Sequence, residues 1–325
     1  MTAFGTRWRV LSLMLAALMA IGVACSDDAE DPTPTASATV AATEAATAPP
    51  TATAAPIVVT DAGGAEITFE APPQRIVSHS PAVTEILFAI GAGPQVIAVD
   101  EFSTYPPEAA SLQQVAYSDP DAELEVSLEP DLVILAGRQG EYVEPFRALG
   151  LTVFYAEEAA DIAGVFDTIT TYGVITGHEA EAAVLVAAMQ ARLAALDETL
   201  ASVETGPRVF FELTDDLYTV GTGSFIGEAL ARLKMQNVAE GADTDFPQLT
   251  AEIIVERDPE VVLLADEAAG QTPETVAARP GWADVTAVKD GRVFIIDEDT
   301  SSRPGPRLID AMEEWAALAY PDLFE

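Results

Sequence analysis

Residues 179–204 run without a glycine or a proline and consist largely of Ala, Leu, Met and Glu, residues that favour a helix. At about 1.5 Å per residue that helix is nearly 40 Å long, well beyond an ordinary crossover between strands. On either side of it the chain alternates short apolar runs with amphipathic stretches. Strand-like runs occupy 75–78, 96–99, 131–135 and 151–155, and a helix is expected over 84–92 with Ile86, Leu87 and Ile90 on one face. After Gly206-Pro207 the alternation restarts, with strand-like runs at 208–213, 260–264 and 292–296 and helices expected over 224–233 and 307–319. Strands alternating with helices imply an α/β fold with mostly parallel pairing.

The two flanks of the long helix resemble each other. Residues 122–135 lie beside 251–264: in each, a glutamate (Glu123, Glu252) stands seven residues before a proline (Pro130, Pro259), and the proline precedes a buried strand. Gly150-Leu-Thr-Val-Phe-Tyr155 likewise resembles Gly291-Arg-Val-Phe-Ile295. We expect two similar α/β lobes with parallel-type sheets: an N-terminal lobe over 57–178, a single long interlobe helix over 179–204 and a C-terminal lobe over 205–325. Two lobes make a cleft, and clefts between domains take small ligands.

The N-terminus reads as an export signal over 1–24. Arg7 and Arg9 precede an apolar run at 10–23, too short to span a bilayer comfortably but suited to a signal-peptide core. Gly22, Val23 and Ala24 lead into Cys25, the only cysteine of the chain, so no intramolecular disulfide forms. This arrangement resembles a bacterial lipobox, in which the cysteine is lipidated, although Gly22 stands where leucine is usual. The alternative is an ordinary signal peptide with an incidental cysteine. Residues 25–56, rich in Thr, Ala and Pro, lack the apolar content to offset ordering entropy and read as a spacer. The expected location is the outer side of the membrane, with a lipid anchor.

The formal charge of −38 over 325 residues argues against nucleic acid, which needs a basic face, and against charge-driven binding to anionic lipid. About half the residues are apolar, enough for a sizeable core. His79 and His178 are the only histidines. No nucleophile-elbow pattern accompanies them, which argues against a hydrolase. Two histidines and one exported cysteine do not furnish a cage for bare zinc or manganese.

The folded part, 57–324, resembles the substrate-binding proteins of ABC importers for iron-siderophores, haem and vitamin B12, the class III or helical-backbone binding proteins. The resemblance rests on the order and spacing of Arg75-Ile-Val-Ser-His-Ser-Pro-Ala-Val-Thr-Glu-Ile-Leu-Phe-Ala-Ile-Gly91, Tyr105-Pro-Pro-Glu-Ala109, Leu128-Glu-Pro-Asp-Leu-Val133, Gly221-Thr-Gly-Ser-Phe-Ile226 and Arg303-Pro-Gly-Pro-Arg-Leu308. It implies a monomer that holds its ligand in the interlobe groove, uses no cofactor or directly bound metal, and works with a permease and its ATPase. It implies further that Glu123 and Glu252 dock with permease arginines. Carboxylate–guanidinium pairs suit that task. The plainer reading is that these are helix-start glutamates favoured by the dipole.

Groove residues are expected on loops after strands. His79 and Ser80 lie on the first; His79 is a candidate ligand contact or a satisfied loop residue, and if the cargo is haem the axial ligand is His79 or a tyrosine. Phe102, Tyr105, Tyr117 and Phe246 offer flat contact area for a macrocycle or a catecholate, with Tyr105 alternatively in the lobe core. Phe246 matches a position that is usually Trp in B12-binding relatives. Arg138, Arg303 and Arg307 are candidate partners for an anionic ligand, Arg307 alternatively for an intralobe ion pair. Gly221-Thr-Gly-Ser224 lacks the lysine of a phosphate-binding loop and reads as a tight turn into a helix, facing the groove with Tyr218. A ferric siderophore is the favoured ligand, then cobalamin, then haem.

Overall fold

The structure, a computed structural model, describes residues 55–324. The signal segment 1–24, Cys25 and the spacer as far as residue 54 lie outside the described residues.

The first strands, β1 (Ile57–Thr60) and β2 (Glu66–Phe69), form an antiparallel hairpin. The N-terminal lobe follows as a five-stranded, wholly parallel sheet. Its strands are β3 (Ile76–Ser78), β4 (Val96–Asp100), β5 (Gln113–Val115), β6 (Leu132–Ala136) and β7 (Val153–Ala156), in the order β5-β4-β3-β6-β7. Helices α1 (Pro81–Ala89), α2 (Ala122–Ser127) and α3 (Gly140–Ala148) connect them. The expected helix at 84–92 begins earlier, at Pro81, because Ser80 caps it: its side chain accepts the Val83 N–H, and proline takes the first helical position.

The chain crosses between lobes through α4 (Ile162–Thr176) and then α5 (Glu179–Thr199). The helix read from the sequence is α5. It starts at Glu179 as expected and stops at Thr199, short of 204, with Leu200 buried as its C-cap and a turn from the Leu200 carbonyl to the Val203 N–H. Helix α4 was not legible in the sequence. It carries glycines and β-branched residues, which disfavour helix, and the hydroxyls of Thr168, Thr170, Thr171 and Thr176 bond to carbonyls one turn back. Packing compensates. Gly173 lies so near α5 that a β-carbon there would stand 2.6 Å from the Ala182 β-carbon.

The C-terminal lobe is a four-stranded parallel sheet of β8 (Arg208–Glu212), β9 (Gln236–Asn237), β10 (Val261–Leu264) and β11 (Val293–Ile295), in the order β11-β10-β8-β9. Its helices are α6 (Phe225–Arg232), α7 (Ala251–Arg257), α8 (Pro273–Ala277), α9 (Thr286–Lys289), α10 (Glu298–Ser302) and α11 (Leu308–Ala319).

Alternation along the strands sorts side chains into three cores. Ile76 and Leu132 of one sheet share a central core with Val209 and Leu263 of the other, together with Ile169 of α4 and Leu193 of α5. The intervening Val77 and Val133 face a separate outer core in the first lobe, and Phe210 and Val262 face another in the second. A core common to both lobes makes them one packed body.

The repeat seen in the sequence is a repeat in space. Helices α2 and α7 are N-capped by Asp121 and Thr250 and end at Glu129 (φ 48°) and Asp258 (φ 45°), each left-handed and each followed by proline. Arg75, just before β3, donates to the carbonyls of Leu128 and Glu129; Arg208, opening β8, donates to those of Arg257 and Asp258. Each guanidinium satisfies the carbonyls left open at its helix end. Gly150 and Gly291 (φ 87° and 65°) make the matching turns into β7 and β11.

Gly173→Val should destabilise the protein by about 1–3 kcal/mol through overpacking against α5, even though valine has the higher helix propensity. Urea unfolding measures this, and a gain in stability would show that the α4–α5 contact is not close-packed.

Candidate functional site

In an open parallel sheet, ligands gather beyond the carboxyl ends of the strands. Here those ends from both lobes meet around a cavity of about 640 Å³. The first lobe contributes Ser80 after β3, Phe102 after β4, Tyr117 after β5, Ala136 at the end of β6, and Glu157 and Glu158 after β7. The second contributes Gly223 to Phe225, Asp245 with Phe246, and parts of the segment from Glu298 to Pro304.

Both walls are built alike. Ser224 caps α6 by accepting the Gly227 N–H, as Ser80 caps α1. The turn before Ser224 packs tightly: a β-carbon on Gly227 would fall 2.1 Å from the Gly221 carbonyl oxygen, so the turn and the helix need glycine at the contact. The aromatic residues project from opposite sides. Phe102 and Tyr117 meet edge to face at 5.7 Å and 82° on the first lobe, and Phe246, about half exposed, stands on the second.

Of the residues expected at the groove, Ser80, Phe102, Tyr117, Phe246 and Arg303 line the cavity, and five others do not. His79 is fully buried, with Nε2 hydrogen-bonded to Glu125 Oε1 at 2.9 Å, so it points away from the groove into the lobe. Tyr105 lies under the Arg307 guanidinium, whose carbon is 4.1 Å from the ring centroid. Arg307 itself is drawn off to Glu85, donating from Nε and Nη2 at 2.8 and 2.6 Å. Arg138, in the short turn after β6, is exposed to solvent outside the cavity lining. Tyr218 bridges backbone to backbone with Gln248, outside the lining.

Arg303 lines the cavity but is fully engaged. It donates to Glu85 Oε1 (3.1 Å), the Phe102 carbonyl (2.9 Å) and Asp299 Oδ1 (2.5 Å). Glu85 is a first-lobe residue, only 2% exposed at its side chain, and the two arginines belong to the second lobe, so this buried cluster spans the groove. Thr104 donates to Asp299 across the same seam at 3.1 Å. Bonding to Glu85 holds Arg307 above the ordinary guanidinium range. Besides Asp299 and Arg303, which pair, the charged lining residues are all negative: Glu157, Glu158, Asp245 and Glu298. The sequence reading passed over these carboxylates and Glu85, although most of them follow strand ends as the aromatics do.

The two candidate docking residues are exposed on matching helices, Glu123 in the first turn of α2 and Glu252 in the first turn of α7. Glu252's own backbone N–H, then Thr250, holds its carboxyl below the usual range.

A second buried ionic cluster lies in the C-terminal lobe. Glu212 at the end of β8 is fully buried and pairs with Arg279, and Asp266 beside it has no hydrogen-bond partner for either carboxylate oxygen. Burial, then the neighbouring Glu212, pushes Asp266 up to about 7.

A two-lobed body with a preformed, aromatic-walled interlobe groove and helices paired on its outside is the architecture of an extracytoplasmic solute-binding protein. The chain belongs to the periplasmic binding protein family, whose model matches residues 76–300. It is 32% identical over 278 residues to the ABC transporter substrate-binding lipoprotein YvrC of Bacillus subtilis, covering 83% of this chain and 87% of that one. It is also 32% identical over 271 residues to a cobalamin-binding protein of Halobacterium salinarum, covering 80% and 73%. Among solved structures, the vitamin B12-binding protein BtuF of Vibrio cholerae superposes with a TM-score of 0.68 at 26% identity, covering 78% of this chain and 99% of that one. The haem-binding protein RhuT of Roseiflexus does so with 0.70 at 26%, covering 77% and 99%. The chain is thus a class III substrate-binding protein of the ABC-transporter type. No helix among the described residues is long and apolar enough to cross a membrane.

Removing the Glu85 carboxylate strands two largely buried guanidiniums. Glu85→Ala should cost about 3 kcal/mol, read by urea unfolding; a loss within error would mean the cluster is solvated.

Asp266 sets a pH trend. Its folded value lies above the ordinary 3.8, so the native state binds the proton more tightly, and this group's contribution to stability falls as pH rises from about 4 to about 7. Asp266→Asn should raise the thermal midpoint at pH 8 far more than at pH 4. An equal shift at both would exclude this assignment.

Proposed function

We propose that this protein captures a cobalamin-type corrinoid in the interlobe groove and delivers it to an ABC importer permease. The carrying observation is the lining: aromatic rings on both lobes, five carboxylates, and a single guanidinium already committed to Glu85 and Asp299. Anionic ferric siderophores and the propionates of haem would meet repulsion there without a free cation to offset it. A corrinoid presents a broad face for stacking and a rim of neutral amide donors, which carboxylates accept. His79, buried against Glu125, is not offered to a haem iron in the groove. This reverses the preference for a siderophore drawn from the sequence. The cobalamin-binding relative in Halobacterium salinarum supports the same reading.

Docking is assigned to Glu123 and Glu252, one exposed carboxylate per lobe on helices of matching construction, which suits a two-fold permease. Export, lipidation at Cys25 and the spacer complete the scheme: a tether raises the effective concentration of the monomeric head near its permease. On this reading the chain divides into signal, spacer, two lobes and a helical crossing, and performs no catalysis.

Titration of purified protein with cyanocobalamin, haemin and a ferric siderophore, followed by absorbance and calorimetry, tests the ligand. Cyanocobalamin should bind most tightly, and Phe246→Ala should weaken it by about tenfold or more if that ring is an anchor. Preference for haemin or the siderophore would overturn the corrinoid assignment. For docking, Glu123→Arg together with Glu252→Arg should abolish uptake and leave cyanocobalamin affinity unchanged. Normal uptake would remove the docking role.

A further inference from the structure

The two docking helices are alike outside and unlike inside. On α2 the residue two beyond Glu123 is Glu125; on α7 the residue two beyond Glu252 is Ile254. Both are fully buried. Ile254 packs in the apolar outer core of its lobe, whereas Glu125 forms a single hydrogen bond with His79. The strand ends differ to match. Ile76 pairs with Leu132 and Val209 with Val261, each two residues past the repeat's proline, so His79 corresponds to Glu212. Glu212 is held by Arg279 of its own lobe's outer segment and makes no bond to α7.

His79 is fastened to the groove wall on its other side. It directly precedes Ser80, which lines the cavity and caps α1. Its carbonyl accepts from Gln139 Nε2 at 3.1 Å; the same nitrogen donates to the Tyr117 carbonyl at 2.9 Å, and Gln139 Oε1 accepts the Ala136 N–H at 2.9 Å. Ser80, Tyr117 and Ala136 all line the groove. A continuous set of bonds therefore runs from the groove wall through Gln139 and His79 to Glu125, two residues from the exposed Glu123.

We propose that His79 and Glu125 are positioning residues that couple the occupied groove to the docking helix of the N-terminal lobe, leaving the docking helix of the C-terminal lobe indifferent to ligand. This rests on the reading of α2 and α7 as docking elements. The physical reason lies in the two kinds of contact. A buried hydrogen bond is directional and strong in a low-dielectric interior, and His79 Nδ1 and Glu125 Oε2 have no other protein partner to share the load. A shift of Ser80 or Tyr117 on ligand contact moves the imidazole, and the carboxylate follows or loses its only bond. An apolar contact such as that of Ile254 has no preferred direction and absorbs the same displacement by sliding. Helix α2 is only six residues long, and its other inward side chains, Ala122 and Leu124, are only partly buried, so beyond the Arg75 bonds at its C-terminal end little else opposes its adjustment.

Hydrogen-exchange mass spectrometry of the full folded chain with and without cyanocobalamin tests this. In the wild type, ligand should slow exchange of α2 amides by about fivefold or more, the lower end of ordinary site-to-site coupling, and leave α7 unchanged. The double substitution His79→Leu/Glu125→Ile gives α2 the apolar contact of α7; it should abolish the α2 response while cyanocobalamin affinity is retained. Glu125→Gln keeps an acceptor for the imidazole and should restore the response. Equal protection of the two helices, no protection of α2, or a response that survives the double substitution would each overturn the proposal. A purely structural pair would lower the thermal midpoint in the variants without changing the ligand-dependent difference between α2 and α7. If cyanocobalamin fails to bind the wild type, the corrinoid assignment falls instead. The exchange comparison is then made with whichever of haemin or the ferric siderophore binds, by the same criteria.

Discussion

One first-lobe carboxylate receiving two second-lobe guanidiniums sets the character of the groove. Glu85 accepts from Arg303 and Arg307 while its side chain is almost fully buried. Such a cluster contributes little net stability compared with an apolar contact of the same shape, because desolvation offsets the attraction, yet losing one partner is severe. Its effect is therefore on geometry. It fixes the distance between the lobes at one end of the cavity, and it consumes the cations that a binder of anions would present to its ligand. With Asp299 paired to Arg303, the other four lining carboxylates, Glu157, Glu158, Asp245 and Glu298, are left to dominate, and field lines concentrate in a cleft with low-dielectric walls.

The central core works with that cluster. Residues from both sheets, from α4 and α5 and from α11 pack into one apolar cluster, so opening the groove by rotating one lobe would expose surface at about 25 cal/mol per Å². The close passage of α4 over α5 at Gly173 leaves no slack for a hinge there. A groove held open in advance spends less of its contact energy on ordering when ligand arrives. Recognition must then come from the side chains already in place, which gives Phe102, Tyr117 and Phe246 their weight.

The sequence made β3, β4, β6, β7, β8, β10 and β11, α5, α6, α11 and the duplicated Glu-to-Pro unit legible, because each rests on a local signal: a buried apolar run, a stretch free of glycine and proline, or a cap such as Ser224. It hid α4, whose threonines and glycines oppose helix until two lobes close over it. It hid β5 and β9 as well, which are short edge strands with polar residues such as Gln113 and Gln236. At the site, five of the ten expected side chains line the cavity and five do not. His79 and Arg307 are expected at the groove, and Arg303 is expected to be free for ligand, because single positions do not disclose their partners. Glu125 lies 46 residues from His79, and Glu85 lies 218 and 222 residues from Arg303 and Arg307, so tertiary packing decides these pairings; Asp299, four residues before Arg303, is the one local partner.

Where the two halves have stayed alike and where they have parted follows from what each region has to meet. The units that carry Glu123 and Glu252 retain the same N-capped helix, the same left-handed acidic residue before proline and the same arginine closing the helix end. On the proposed docking role, a two-fold partner presents one surface twice and rewards that sameness. The strand ends around the cavity differ: His79 answers to Glu212, Phe102 and Tyr117 face Phe225 and Phe246, and five strands oppose four. A corrinoid, the ligand proposed for this groove, has no two-fold axis to match, so a groove built from two equal walls would fit one of its faces badly. Pseudo-symmetry is kept on the outside and given up within, and the buried His79–Glu125 pair lies at the boundary between the two regimes.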